Sequence, residues 1–122
     1  MANPNLVAVT SIYGNSINGA LTTTTTTDLL TCASNKLIKV NSIIIANIDG
    51  TNAADISVYV TTVSGTELFY LAKTISVPAD SSLVITSKDT SFYLEENRQI
   101  RALASAAGDI SLMVSYEELD DA

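Results

Sequence analysis

Few side chains in this sequence could carry chemistry. The stretch DGTNAAD brings Asp49, Asn52 and Asp55 within seven positions, a set of oxygens of the kind calcium takes. Calcium wants about six to eight oxygen ligands, and the helix–loop–helix calcium loop closes with a bidentate glutamate at its last position. No such glutamate ends this stretch, so it reads as a hairpin turn with polar side chains. Glu95 and Glu96 are adjacent and precede Asn97; neighbouring carboxylates on an extended chain point apart, and the group again reads as a turn. Glu117 and Glu118 end the last apolar run, where solvation is the default. The sequence has no histidine, which removes the commonest neutral-pH base and metal ligand and with it any Ser-His-Asp triad or Cys-His pair. Cys32 is the single cysteine, between Thr31 and Ala33. Alone it makes neither a disulfide nor a zinc site, and it reads as a small buried thiol.

Two further chemistries need patterns that are absent. A phosphate cradle needs a glycine-rich loop before a helix, and the five glycines are isolated. Tyr13, Tyr59, Phe69, Tyr70, Phe92, Tyr93 and Tyr116 could stack on a sugar, but they are spread along the chain without a tryptophan. Core and interface packing is the better reading of them. The expectation is a protein that is not an enzyme and needs no cofactor and no metal.

The frame that must hold these residues is one domain. A chain of 122 residues, 47% hydrophobic and 16% charged, is long enough for one apolar core and too apolar for disorder. Net charge is −7, and the cations Lys36, Lys39, Lys73, Lys88, Arg98 and Arg101 are scattered. Nucleic-acid backbones are held by clustered cations, so no nucleic-acid partner is expected. The opening MANPNLVAVTS lacks the basic and long apolar regions of a signal peptide. Apolar runs such as Ile43–Ala46 fall far short of the ~20 residues of a membrane helix. A soluble protein without an export signal or a membrane partner is expected.

Threonine, valine, isoleucine and serine dominate, and β-branched residues favour strands. Alternation with period two recurs. Ile56, Val58 and Val60 oppose Ser57, Tyr59 and Thr61; Ile110, Leu112, Val114 and Tyr116 oppose Ser111, Met113, Ser115 and Glu117; Ile100, Ala102 and Ala104 alternate with Arg101 and Leu103. In KLIKVNSIIIANI the same rule puts Ile38, Val40, Ile44, Ala46 and Ile48 inward and leaves Ile43 and Ile45 out of pattern. Turn signals fall at short intervals, among them Gly14-Asn15, Asn18-Gly19, Ser34-Asn35, Asp49-Gly50, Ser64-Gly65, Pro78-Ala79-Asp80, Glu95-Glu96-Asn97 and Ala107-Gly108-Asp109. They delimit about eight antiparallel strands, near 6–13, 20–27, 36–48, 55–63, 67–76, 82–87, 91–94 with 98–105, and 109–117. Short strands with frequent turns make a β-sandwich or barrel. Residues 118–122, in the acidic end EELDDA, read as a solvated tail.

LTTTTTTD, residues 21–28, lacks apolar alternation of its own. As a strand it would put Thr22, Thr24 and Thr26 on one face and take its register from its neighbours. Register is weakly specified in such a strand, so an edge or a subunit contact suits it. Ala2, Asn3, Pro4, Asn5 and Leu6 are the second candidate contact segment. Pro4 cannot donate to a ladder and favours an extended N-terminal arm reaching a neighbouring subunit; the bland alternative is a short leader to the first strand.

Four segments, MANPNLVAVTSIYG, KVNSIIIANIDGTNAADISVYV, LAKTISVPADSSLVI and YLEENRQIRALASAAGDISLMVSYEEL, together resemble a family of small virion structural proteins of tailed bacteriophages, cyanophages above all. They cover most of the chain and are signatures of fold and family, not of catalysis; the threonine run lies where the match is weakest. The resemblance implies a single all-β, jelly-roll-like sandwich over residues 1–122. It further implies a capsid decoration, or cement, protein assembled in the host cytoplasm. Its partners would be the major capsid protein, on the outer surface of the virion, and copies of itself, as a homotrimer. The alternatives are a neck, tail or baseplate protein, or a β-sandwich that binds a carbohydrate or receptor on the host surface.

Overall fold

The computed structural model describes residues 11–21, 24 and 26–120. Among these residues nine strands form: β1 Ser11–Leu21, β2 Thr27–Cys32, β3 Lys36–Asn47, β4 Ala54–Thr62, β5 Glu67–Val77, β6 Ser82–Thr86, β7 Phe92–Leu94, β8 Arg98–Ala104 and β9 Ile110–Asp120. A single 3₁₀ turn, Lys88–Thr90, separates β6 from β7. The strands pair as nested antiparallel partners, β1 with β9, β2 with β8, β3 with β6 and β4 with β5. Further antiparallel pairing of β9 with β3 and of β8 with β4 joins these into two sheets, β1-β9-β3-β6 and β2-β8-β4-β5, with β7 also on β3. This nesting is the jelly roll, two sheets wound from double Greek keys, and it bears out the expected all-β sandwich.

The core lies between the inner faces. Ile38, Val40, Ile43, Ile45, Ile110 and Val114 of the first sheet meet Ile56, Val58, Ile100 and Ala102 of the second, all of them at most 1% exposed. Each large side chain buried here contributes about 1.5–3 kcal/mol over leaving it in water. The small Ala102 and Ala104 sit in register beside Val58 and Ile56, so small and large alternate across the second sheet. The turns use the residues that tolerate a left-handed backbone: Asn35, Asp80 and Asn97 have φ of 65°, 55° and 59°, at three of the expected turn sites.

Four expectations are corrected. In β3 the inward residues after Val40 are Ile43 and Ile45, while Ile44 and Ile48 are 39% and 59% exposed. The pairing of β3 with β9 shifts between Val40 and Ser42. One extra residue there, Asn41, forms a bulge that moves every later side chain to the opposite face. Second, β1 runs unbroken from Ser11 to Leu21 across the break expected between 6–13 and 20–27, and β2 takes only Thr27 of the latter; residues 6–10 lie outside the described residues. Gly14-Asn15 and Asn18-Gly19 are not turns, because all eleven residues of β1 are held in continuous register by β9.

Third, the threonine run is not one strand: Thr24 and Thr26 lie outside any strand and Thr27 opens β2 in the other sheet from Leu21, while Thr22, Thr23 and Thr25 lie outside the described residues. Fourth, the acidic end is not a free tail as far as Asp120: β9 continues to that residue, Leu119 is 6% exposed, and Lys36 Nζ lies 3.8 Å from both Glu118 and Asp120.

Candidate functional site

The residues with chemical potential are placed and partnered in ways that use up their reactivity. Asp49 accepts from the backbone N–H of Thr51 at 2.8 Å and of Asn52 at 3.4 Å, which holds its carboxyl below the usual carboxylate range. Beneath it Asn47, 2% exposed, donates to the carbonyls of Asn52 and Val77 at 2.9 Å and accepts from Asp49 N–H at 2.9 Å. The loop is thus a polar turn knotted on a buried asparagine. Asp55 belongs to β4, where its N–H donates to Ser105 Oγ at 2.8 Å. Among the described residues no three acidic or thiol groups converge as a metal set would. Glu95 turns to Arg98 at 2.7 Å, while Glu96 accepts from Asn35 N–H at 2.9 Å and is lowered by that bond. The two carboxylates point apart, as read from the sequence.

Cys32 is fully buried, its Sγ–H directed at the Lys36 carbonyl at 3.3 Å. Burial pushes the thiol up to about 11. A thiolate is the reactive form, so this sulfur is a packing group.

The outer face of the second sheet carries a polar row across all four strands, Asp28, Arg101, Tyr59 and Tyr70 in register. Arg101 Nε meets Asp28 at 2.8 Å; Tyr59 and Tyr70 stack with ring centres 4.8 Å apart; Lys73 Nζ lies 5.1 Å over Tyr70. Thr26 Oγ1 and the Tyr59 hydroxyl are 3.1 Å apart. Of the expected contact residues, Thr24 and Thr26 are exposed in the link between the sheets, whereas Ala2, Asn3, Pro4, Asn5, Leu6 and Thr22 lie outside the described residues. A cleft of about 480 Å³ opens between the sheets at the β5–β7 flank, lined by Val60, Phe69, Leu71, Phe92 and Tyr93. The aromatics are dispersed along the sequence, and the fold gathers Phe69, Phe92 and Tyr93 here.

The outer face of the first sheet is different in kind. Cross-strand rows run Ser16–Ser115–Ser42, Asn18–Met113–Ile44–Val84 and Ala20–Ser111–Ala46–Ser82. No residue in them is charged, and Met113, Ile44 and Val84 are 45%, 39% and 55% exposed. In a chain of net charge −7, this is a neutral field, bounded by the charged row Gly14–Glu117–Lys39. No alternation rule could reveal it, because the Asn41 bulge decides which isoleucine faces out.

No protein-family model and no curated protein matches this chain. Solved structures do share its fold. A protein of Bacillus endospore appendages, which form a family of disulfide-linked pili, is similar with TM-score 0.54 and 18% identity over 92% of this chain and 88% of that one. The capsid structure of Helicobacter pylori bacteriophage KHP30 is similar with TM-score 0.51 and 9% identity over 93% and 91%. A virus-like particle of the extra small virus of the prawn Macrobrachium rosenbergii is similar with TM-score 0.50 and 10% identity over 98% and 87%. At these identities the likeness is one of fold.

Proposed function

We propose that this chain is a structural protein of a bacteriophage virion, a decoration protein that binds the major capsid protein on the outside of the shell and performs no reaction. The observation that carries the reading is the uncharged field that β1, β9, β3 and β6 present on the outer side of the first sheet, bounded by the Lys39–Glu117 row. A weakly apolar, uncharged field suits a lateral or basal contact with another folded surface and gives a small ligand nothing to converge on. Support comes from the sequence resemblance and from the virion particles among proteins of this fold. The physical logic is multivalency: packaged DNA pushes a shell outward, and a small bridging contact repeated at each joint sums to a large restraint. An acidic protein is not drawn to the packaged genome, which favours the outer surface.

A homotrimer seated where capsid subunits meet is the assembly this reading favours, with residues 2–6 and the exposed Thr24 and Thr26 as added contacts. Copy number in purified virions, measured by quantitative mass spectrometry, tests the proposal. Hundreds of copies are expected. About a dozen would move the protein to the neck, tail or baseplate, and none would end the virion reading. Deleting residues 2–6 is expected to lower occupancy on the particle; unchanged occupancy would remove the arm.

A further inference from the structure

Sheet edges invite pairing with other chains, and folded proteins blunt them with charges, proline, bulges or brevity. Three edges here are blunted. β2 has six residues, a register shift between Asp28 and Leu30, and the charge of Asp28. β5 carries Glu67 and Lys73, pairs with β4 through three register shifts, and contains Thr74 at a φ of 52°. β6 and β7 have five and three residues. β1 has none of these devices. Its eleven residues, SIYGNSINGAL, contain no charge and no proline, and their register with β9 runs unbroken from Ser11↔Asp120 to Leu21↔Ile110. Among the described residues no strand lies on its outer side.

We infer that β1 is the contact through which two copies of this chain join, by antiparallel pairing of β1 with β1 about a two-fold axis at Ser16. Charge selects the direction. Glu117, Glu118 and Asp120 lie in register with the Ser11–Gly14 half of β1, and Ile110 and Leu112 with the Gly19–Leu21 half. Lys36 and Lys39 on β3 offset part of this charge and leave the half net acidic; antiparallel pairing sets it beside the neutral half of the other copy, whereas parallel pairing would align the two acidic halves. Length and side chains select the register. With Ser16 opposite Ser16, all eleven residues of each strand overlap, and Tyr13 of each copy falls opposite Gly19 of the other. Tyr13 is 52% exposed, and the space above Gly19 is open for 4 Å. An aromatic ring laid over an edge glycine is a favoured cross-strand pair. A shift that centres Ile17 would bring Tyr13 to Leu21, which is 2% exposed and already enclosed.

The pairing would fuse two first sheets into one continuous sheet, with both neutral outer faces on the same side. A strand of this length spans about 37 Å at ~3.4 Å per residue. Contact along one edge buries well under the ~1,600 Å² of a standard stable interface. The contact is accordingly weak in dilute solution and strengthened by repetition. Being two-fold, it links separate trimers and does not form one.

The purified full chain tests this independently of any virion. Ser16→Cys is expected to give disulfide-linked dimers on mild oxidation, since opposed residues in antiparallel strands are within the ~4.4–6.8 Å between Cα atoms that a disulfide needs. Ser76→Cys on the β5 edge is expected to stay monomeric. Mixing Tyr13→Cys chains with Gly19→Cys chains is expected to cross-link them, while each alone does not. An Asn15→Lys, Asn18→Lys double change in the Ser16→Cys chain is expected to cut dimer yield at least tenfold with an unchanged melting temperature. No excess of Ser16→Cys dimer over the Ser76→Cys control, or undiminished dimer with the lysines present, overturns the inference. Cross-linking of Tyr13→Cys with itself but not with Gly19→Cys overturns its direction.

Discussion

Replacing Ile43 by alanine should destabilise the fold far more than replacing its neighbour Ile44. Ile43 is fully buried in the core; Ile44 is 39% exposed on the outer face between Met113 and Val84. The change removes three carbon groups. At ~0.8 kcal/mol each this is about 2.4 kcal/mol of lost burial at position 43. A half-relaxed cavity adds about 1 kcal/mol, giving roughly 3–4 kcal/mol, within the range of measured core truncations. At position 44 the partly wetted side chain leaves no enclosed cavity, and the expected cost is about 1 kcal/mol. In a domain of this size 1 kcal/mol moves the melting temperature by about 4 °C, so the two variants should melt some 10 °C apart. Urea unfolding with an unchanged slope gives the energies directly. Equal losses at the two positions, or a larger loss at Ile44, would refute the bulge at Asn41. Deleting Asn41 should be worse than either, since it turns Ile43 and Ile45 out of the core.

Two further outcomes follow from the buried thiol and the lowered carboxyls. Cys32 should resist a disulfide reagent at neutral pH in the folded protein and react at once in urea; fast labelling of the native chain would contradict its burial and its raised ionisation. Asp49 and Glu96 have folded values below their unfolded ones. They therefore stabilise the fold above the unfolded carboxylate range, and that contribution is lost as pH falls through the folded values. The melting temperature of an Asp49→Asn, Glu96→Gln chain should fall less than that of the parent between about pH 5 and pH 3; parallel curves would show that the turn bonds do not discriminate ionised from protonated carboxyl.

Alternation made most strands legible, because the fourth, eighth and ninth each keep one apolar face against a single core. The turns at Asn35, Asp80 and Asn97 were legible for a backbone reason, since these residue types accept a positive φ. Two features were not. A bulge such as that at Asn41 has no residue signature; it shows only as two isoleucines on the wrong parity. The glycines and asparagines of β1 imitate turns, and only the presence of β9 alongside makes them a strand. The inertness of Cys32 could be read from its small neighbours. The neutral outer face could not, because it is assembled from β1, β9, β3 and β6, and strand order is a property of the whole winding. The threonine run shows the limit of local pattern: its residues fit a strand, yet of those described Thr24 and Thr26 lie outside any strand while Thr27 opens β2.

Strand β9 is wedged between β1 and β3, far from both along the chain. While the chain is being synthesised, β1 waits for the strand it pairs with among the described residues until Ile110–Asp120 has left the ribosome. Such far-apart pairings fold slowly, and here they make the first strand's place in the fold depend on the ninth. A chain cut before β9 lacks the strand that holds β1 in register and links it to β3.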